Sequence, residues 1–357
     1  MSARRPWAWP LVPLYAAVVA VKDRLREAGV LKVQRLERPV VSVGSISTGG
    51  AGKTPVVIAL ANMLRARGWD VDVLSRGYGR IGQGVEWVAA LGDRAAERYG
   101  DEPVVIARAT GVPVWVSGNR FAAGRAAESG VAVSQAQEGE GAEHEEAHPL
   151  TRGQVHLLDD GFQHRQLARN FDVVLVTAQD LHDTLMPAGN LREGFHALKR
   201  ADAVVVREDE LDEVKTPAWK LMREGAQMWV VRRRVEFPAP LFVFGAGLRP
   251  VAFCAIARPE GFQTMLRDAG CGVVETIVFA DHHSYGMRDM ERILEVGRQL
   301  NATGFVTTEK DNVKLTASMR ERLETLGPLM VVGLKAEFAD VDAVVSVLET
   351  RLGAQSA

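Results

Sequence analysis

Three clusters in this 357-residue chain have the residue types and spacing that phosphate chemistry requires. The first is SVGSISTGGAGKTPVV, where Gly49, Gly50 and Gly52 precede Lys53 and Thr54. Glycines let backbone N–H groups turn inward around phosphate oxygens, and a lysine at the following helix start reaches the terminal phosphates. The next hydroxyl, Thr54, can ligate Mg²⁺. Ser47, Thr48, Gly49, Gly50, Ala51, Gly52, Lys53 and Thr54 therefore form a candidate triphosphate cradle, with Ser47 standing where the usual pattern has glycine. The second cluster is Asp159 and Asp160, which close the apolar run VHLLDD. One carboxylate suits a metal ion while the other orients water or substrate. The third is split between GDEP, with Asp101 and Glu102, and ADHHSYG, with Asp281, His282 and His283. A histidine there can share a proton with Asp101, although an aspartate opening a helix also serves as a plain cap.

The loop carries no second lysine near its start, and the chain has no Asn-Lys-x-Asp guanine signature; in TTEKDN, Lys310 stands beside Asp311. ATP with Mg²⁺ is the expected cofactor pair.

These residues need strand ends and helix starts to hold them. VVSVGS, VDVLS, VEWVA, VPVWVS, VHLLDD, FDVVLVTA and ADAVVV read as strands, alternating with helices over Lys53–Arg67, Asp101–Ala109 and Asn119–Ser129. Strands that are apolar throughout imply a parallel sheet covered on both faces. VAFCAIA, VVETIVF, GFVTTEK and LMVVGL continue the style in a second lobe. The fold class expected is α/β: a P-loop NTPase-type, mostly parallel sheet, a smaller second α/β lobe and an N-terminal membrane-associated helix. Residues 1–38 form the N-terminal segment, 39–216 the first lobe and 217–357 the second, with charge-rich Glu208–Arg234 as the link. Residues 134–153 are acidic and aperiodic and read as a surface insertion, with His144 and His148 as loop residues rather than ligands.

Composition narrows the function classes. A formal charge of -2 argues against nucleic acid as the partner, and the 47% hydrophobic content rules out global disorder. Two cysteines, Cys254 and Cys271, cannot build a zinc cluster and read as core thiols. From Pro6 to Val21 the chain is uncharged, with Arg4 and Arg5 before it and Lys22, Arg24 and Arg26 after it. That run is short for a span and is interrupted by Pro10 and Pro13. Trp7, Trp9 and Tyr15 favour an interfacial anchor over a marginal span or a buried terminal helix. Lys22–Arg38 is expected to be helical.

Taken together the motifs resemble those of the tetraacyldisaccharide 4′-kinases, the lipid A 4′-kinases of Gram-negative bacteria. The resemblance rests on PLYAAVVAVKDRLREAG, VVSVGSISTGGAGKTPVVIALANML, VLSRGYGR, GDEPVVIA, VSGNR, LLDDGFQHRQLARNFDVVLV, PAGNLRE, AFCAIARPEGF, FADHHSY and TTEKDNVKL, in family order up to about Val332. It implies transfer of the ATP γ-phosphate to the 4′-hydroxyl of a tetraacylated glucosamine disaccharide 1-phosphate, giving lipid IVA, at the cytoplasmic face of the inner membrane. It implies an Asp–His pair, carried here by Asp101 with His282. Lys53 is the phosphate-binding catalytic lysine, and Thr54, Asp159 and Asp160 are the metal-side residues. Arg76, Tyr78, Asn119 and Arg120 would line the lipid-sugar side, where an arginine fork suits a phosphate. Gln163, His164, Arg192 and Lys310 belong to matching stretches without an assigned role. The chain departs from the pattern at Ala255, Ala257 and Gly261, near Arg258. No obligate protein partner is expected. The competing reading is a membrane-recruited P-loop ATPase that acts through a protein partner.

Overall fold

The apolar runs pair into one sheet of twelve strands: β1 (Val40–Ser45), β2 (Val71–Ser75), β3 (Glu86–Trp87), β4 (Val114–Val116), β5 (Val155–Asp159), β6 (Phe171–Val176), β7 (Ala203–Arg207), β8 (Gln227–Glu236), β9 (Val251–Cys254), β10 (Glu275–Val278), β11 (Phe305–Thr308) and β12 (Leu329–Phe338). Their spatial order is β10-β9-β11-β12-β8-β7-β6-β1-β5-β2-β4-β3. The computed structural model describes residues 5–89, 92–130, 153–237 and 249–353.

Neighbouring strands are parallel except at two places, β3 on β4 and β8 on β12. Period-two alternation sends consecutive apolar residues to opposite faces. Val73, Leu157 and Val173 enter a core under helix α2 (Lys53–Ala66) and the helix Asp101–Thr110. Leu74 and Leu158 pack instead beneath the helix Arg120–Ser129, and Val174 beneath the helix Leu211–Trp219.

The β8–β12 pairing creates the cleft. β8 pairs with β7 over Gln227–Val231, then runs out beyond the C-terminal edge of the first parallel block. β12 leaves the second block in the same way after pairing with β11 over Leu329–Val332. The two overhangs pair antiparallel, Gly333 with Glu236 through Phe338 with Val231. The C-terminal edges of both blocks therefore face each other, and such edges are where open parallel sheets bind ligands.

The lobes differ from the sequence expectation in three ways. The lobe change expected near Thr216 falls inside the helix Leu211–Trp219, whose Val214 and Ala218 are buried against Val204 and Val206 of the first block. The charged stretch read as a link contains that helix and β8, whose Trp229 and Val231 are buried ahead of the run Arg232–Arg234. The second lobe also does not run to the C-terminus. The helix Val341–Gly353 returns to the first core through Val344, Leu348 and Leu352.

The helix expected over Lys22–Arg38 is instead helix α1 (Val12–Glu27), which ends before Gly29 takes a left-handed φ of 72°. Gln34 then joins Leu167 in an isolated parallel bridge. Cys254 and Cys271 are buried, as their reading required. Of the acidic insertion only Gly153 lies within the described residues; His144 and His148 lie outside them.

Candidate active site

The phosphate-loop sequence folds as β1, a glycine turn, and α2. Gly49, Gly50 and Gly52 all have positive φ (63°, 67° and 87°), so the turn needs residues without Cβ. Ser47 is not among the positive-φ residues, which explains why glycine is dispensable there. Its hydroxyl is buried and unpartnered, and its backbone bridges Leu191. Lys53 opens α2, its Nζ 3.3 Å from Asp160 Oδ1 and 3.4 Å from Ser45 Oγ. Thr54 follows, half-buried, at the positive end of the same helix.

Asp159 ends β5 beside the end of β2, and parallel pairing of these strands lets Ser75 Oγ donate to Asp159 Oδ2 at 2.8 Å. Burial, with Glu102 and Asp160 nearby, pushes the Asp159 carboxyl well above the usual carboxylate range. Asp159 Oδ1 is buried without a partner. Asp160 sits at a φ of 49°, a left-handed conformation few non-glycine residues adopt. Its carboxylate accepts two 2.9 Å bonds from Arg192 Nη1. Burial alone would raise it, but Lys53 and Arg192 hold it below the ordinary value.

Across the cleft, Asp101 and Glu102 open their helix from the first block, while Asp281, His282 and Lys310 come from the second. His282 Nδ1 lies 3.0 Å from Asp101 Oδ2. Lys310 Nζ is 3.4 Å from Glu102, 3.7 Å from Asp281 and 3.8 Å from Asp101. Burial works against the charge on Asp101, yet the hydrogen bond from His282 and the nearby lysine leave its carboxyl below the usual range. The same hydrogen bond raises His282 above its ordinary value of 6.5. His282 also has a left-handed φ of 60°. Paired strain at Asp160 and His282 is the kind that clusters where a site over-determines its backbone. His283 turns the other way, bonding Asp289 at 3.0 Å and stacking on Phe279.

The four residues expected on the lipid-sugar side divide. The Tyr78 ring centroid is 5.1 Å from that of His282 and the side chain is exposed, with Arg76 exposed two residues before it. Asn119 caps its helix through Ala122 N–H at 3.2 Å. Arg120 is no surface arginine: it is 4% exposed, donates to Ser117 and Gly118 carbonyls, and keeps a buried, unpartnered Nε. Burial lowers its guanidinium to about 10, and burial with Arg120, Arg169 and Arg76 nearby lowers His164 to about 4. Burial, with Arg120, Arg169 and Arg76 around it, thus keeps the His164 ring uncharged at neutral pH.

Sequence reasoning missed one participant, Ser75, and only pointed near a second, Arg258. Ser75 holds Asp159, a contact visible only once β2 and β5 are neighbours. Arg258, from the loop after β9, lies so close to the phosphate loop that a Cβ on Gly50 would be 2.5 Å from its Nε. Among the described residues no group of three or more His, Cys, Asp or Glu could hold a metal by itself.

A family model described as LpxK, tetraacyldisaccharide-1-P 4′-kinase, matches residues 4–353. The chain is 39% identical over 355 residues to a tetraacyldisaccharide 4′-kinase of Koribacter versatilis, covering 96% of this chain and 99% of that one. It is 38% identical over 326 residues to the enzyme of that name from Stenotrophomonas maltophilia, covering 87% and 85%. A crystal structure of LpxK from Aquifex aeolicus, described as in complex with ATP, superposes with a TM-score of 0.72 at 26% identity over 97% of this chain and 99% of the other.

Proposed function

The chain belongs to the tetraacyldisaccharide-1-P 4′-kinase family, and on that premise we propose how its residues carry the reaction. It is a kinase of lipid A biosynthesis. The substrate is a tetraacylated glucosamine disaccharide 1-phosphate, and the γ-phosphate of ATP passes to its 4′-hydroxyl.

The observation that carries the reading is the Asp101–His282 pair, drawn from opposite sides of the cleft whose floor is the phosphate loop. Residues Ser47–Thr54 wrap the triphosphate, and Lys53 neutralises charge on the transferring group. Arg258 closes the loop from the second block. The sugar hydroxyl gives its proton to the Asp101–His282 pair, which titrates as a unit. Tyr78 walls the acceptor side next to His282, and Arg76, Arg120 and His164 receive the 1-phosphate. Asn119 sets the helix that carries Arg120.

Mg²⁺ fits the residues present, because Asp159 Oδ1 is a buried acceptor without a donor, in a carboxyl that burial first and the neighbouring acids second push upward. Thr54 and Asp159 would hold the ion, which supplies charge neutralisation of the phosphates. Asp160, already held by Lys53 and Arg192, keeps the lysine aimed at the loop.

A pH profile tests the pair. His282 is raised above 6.5 by its bond to Asp101, so at lower pH the ring already carries the proton it must leave room for. kcat/KM should therefore fall as pH drops, approaching tenfold per unit, with the limb above pH 6.5. A limb near about 4 instead would assign the proton to a carboxylate alone.

The lipid lies in a membrane surface, the cytoplasmic face of the inner membrane. No described helix is long and apolar enough to cross a membrane. Trp7, Leu11, Leu14, Val18, Val21 and Leu25 recur at helical spacing and are all exposed, with Lys22 and Arg24 beside them. An apolar stripe bordered by cations suits an anionic leaflet. Leu14→Glu with Val18→Glu should raise the apparent KM for vesicle-borne lipid while the KM for ATP stays unchanged. Equal KM values on vesicles would remove the lipid-facing role.

ADP release that requires the acceptor lipid tests the kinase reading as a whole. Turnover indifferent to lipid and stimulated by a protein would favour the partner-driven ATPase.

A further inference from the structure

The face of α1 opposite the exposed stripe is fastened to the loops that shape the phosphate site. Tyr15 and Asp23 are half-buried there, and Ala8, in the short helix Pro6–Leu11 that leads into α1, is fully buried. Arg5 N–H donates to the Ala188 carbonyl at 2.8 Å. Tyr15 Oη–H donates to the Arg192 carbonyl at 2.9 Å. Asp23 pairs with Arg165 and, at 3.2 Å, with Arg26.

The segment receiving the first two of these bonds lies along the phosphate loop. Thr48 N–H donates to the Asn190 carbonyl at 2.9 Å, and Arg192 N–H donates to the Ile46 carbonyl at 2.8 Å. The Arg192 side chain then continues inward. Its Nη1 holds both oxygens of Asp160 and, at 3.1 Å, Gln163 Oε1. Gln163 in turn donates to the Ser45 carbonyl at 2.9 Å, and Asp160 meets Lys53 at 3.3 Å. A continuous run of hydrogen bonds thus joins the tyrosine hydroxyl on the N-terminal helix to the phosphate-binding lysine.

We propose that Tyr15 is a positioning residue for phosphoryl transfer: its hydroxyl fixes the Arg192 segment, and through Asp160 it fixes where Lys53 points. The inference rests on the kinase reading above and adds to it a mechanical link between the lipid-facing helix and the catalytic loop. An anchor alone needs only the outer face of α1. The inward hydroxyl instead ties the helix to the backbone that the nucleotide site is built on. Tyr15 is well suited, since its ring spans the gap from the helix while only its terminal oxygen is polar. A phenylalanine fills the same space without the donor, so Tyr15→Phe isolates the bond.

The test is steady-state transfer of phosphate from ATP to the tetraacyl disaccharide 1-phosphate in vesicles, with wild type, Tyr15→Phe, Arg192→Ala and the double variant. A neutral hydrogen bond should be worth roughly a three- to tenfold loss of kcat at saturating ATP and lipid. Vesicle sedimentation and the thermal unfolding midpoint of Tyr15→Phe should match wild type. In the Arg192→Ala background the tyrosine change should cost nothing further, because what it positions is gone. An unchanged kcat in Tyr15→Phe, a defect confined to the lipid KM, or an equal loss in both backgrounds would overturn the proposal. A wild-type protein that transfers no phosphate to this lipid would contradict the kinase reading itself, a distinct result from an active wild type matched by its Tyr15→Phe variant.

Discussion

An Asp101→Ala variant is expected to lose roughly 10²–10⁴-fold in kcat, the range for removing a positioned proton acceptor. Asp101 is 6% exposed at the first turn of its helix, and its Oδ2 is the partner of His282 Nδ1. Alanine removes the bond that orients the imidazole and leaves Lys310 with Glu102, Asp281 and the His282 ring. Asp101→Asn keeps the shape and should fare little better, because an amide cannot take up the proton. The KM for ATP should move little, since none of the Asp101 contacts reaches the phosphate loop. A plain helix cap would behave differently: alanine there lowers thermal stability and leaves kcat intact. Steady-state kinetics set beside a melting curve separate the two.

Lys53→Ala should lower kcat/KM by about 10²–10³-fold, the scale for losing one preorganised group that meets developing charge. Its effect should appear in ATP binding as well as in turnover. Lys53 also shields Asp160, which is kept low by it and by Arg192. Without the lysine, two adjacent carboxyls share a pocket with one fewer cation, so Asp160 moves upward toward ordinary values. Lys53→Arg should recover little. The ammonium is held within 3.4 Å of both Asp160 and Ser45, and a planar guanidinium does not fit that point contact. Equilibrium ATP binding and single-turnover transfer together check this.

The parts of the molecule that were legible in sequence are those with local signatures. β1, β2, β5 and β6 read as strands because both faces are buried, which favours short runs that are mostly apolar. The phosphate loop was legible because its left-handed φ values favour glycine, and three glycines stand there in a row of four residues. The pairing of Asp101 with His282 rather than His283 followed from the resemblance, and the structure supplies its cause. His282 takes a left-handed turn toward the cleft, while His283 stacks on Phe279.

What was not legible depends on tertiary neighbours. QMWVVRRRVE looked like a charged link because β8 joins two blocks and its outer arginines stay in solvent, yet Trp229 and Val231 belong to the first core. Helix Val341–Gly353 packs on the first core, which the sequence does not signal because nothing in an amphipathic helix names the sheet it will cover. Arg120 and Asn119 are adjacent in sequence, and only the fold reveals that one is buried beside the acids while the other caps a helix. Ser75, Arg258 and Tyr15 act on groups 84, 208 and 177 positions away in the chain, separations at which sequence carries no visible pairing signal.

The central claim is that a triphosphate held by Ser47–Thr54 delivers its terminal phosphate to a lipid hydroxyl presented to Asp101 and His282. The direct measurement is incubation of the full chain with γ-radiolabelled ATP and the vesicle-borne tetraacyl disaccharide 1-phosphate, followed by isolation of the lipid. The account predicts label in a new phosphate ester at the 4′ carbon, strongly reduced with Lys53→Ala and with Asp101→Ala. Label appearing only as free inorganic phosphate, with the lipid unmodified, would contradict it.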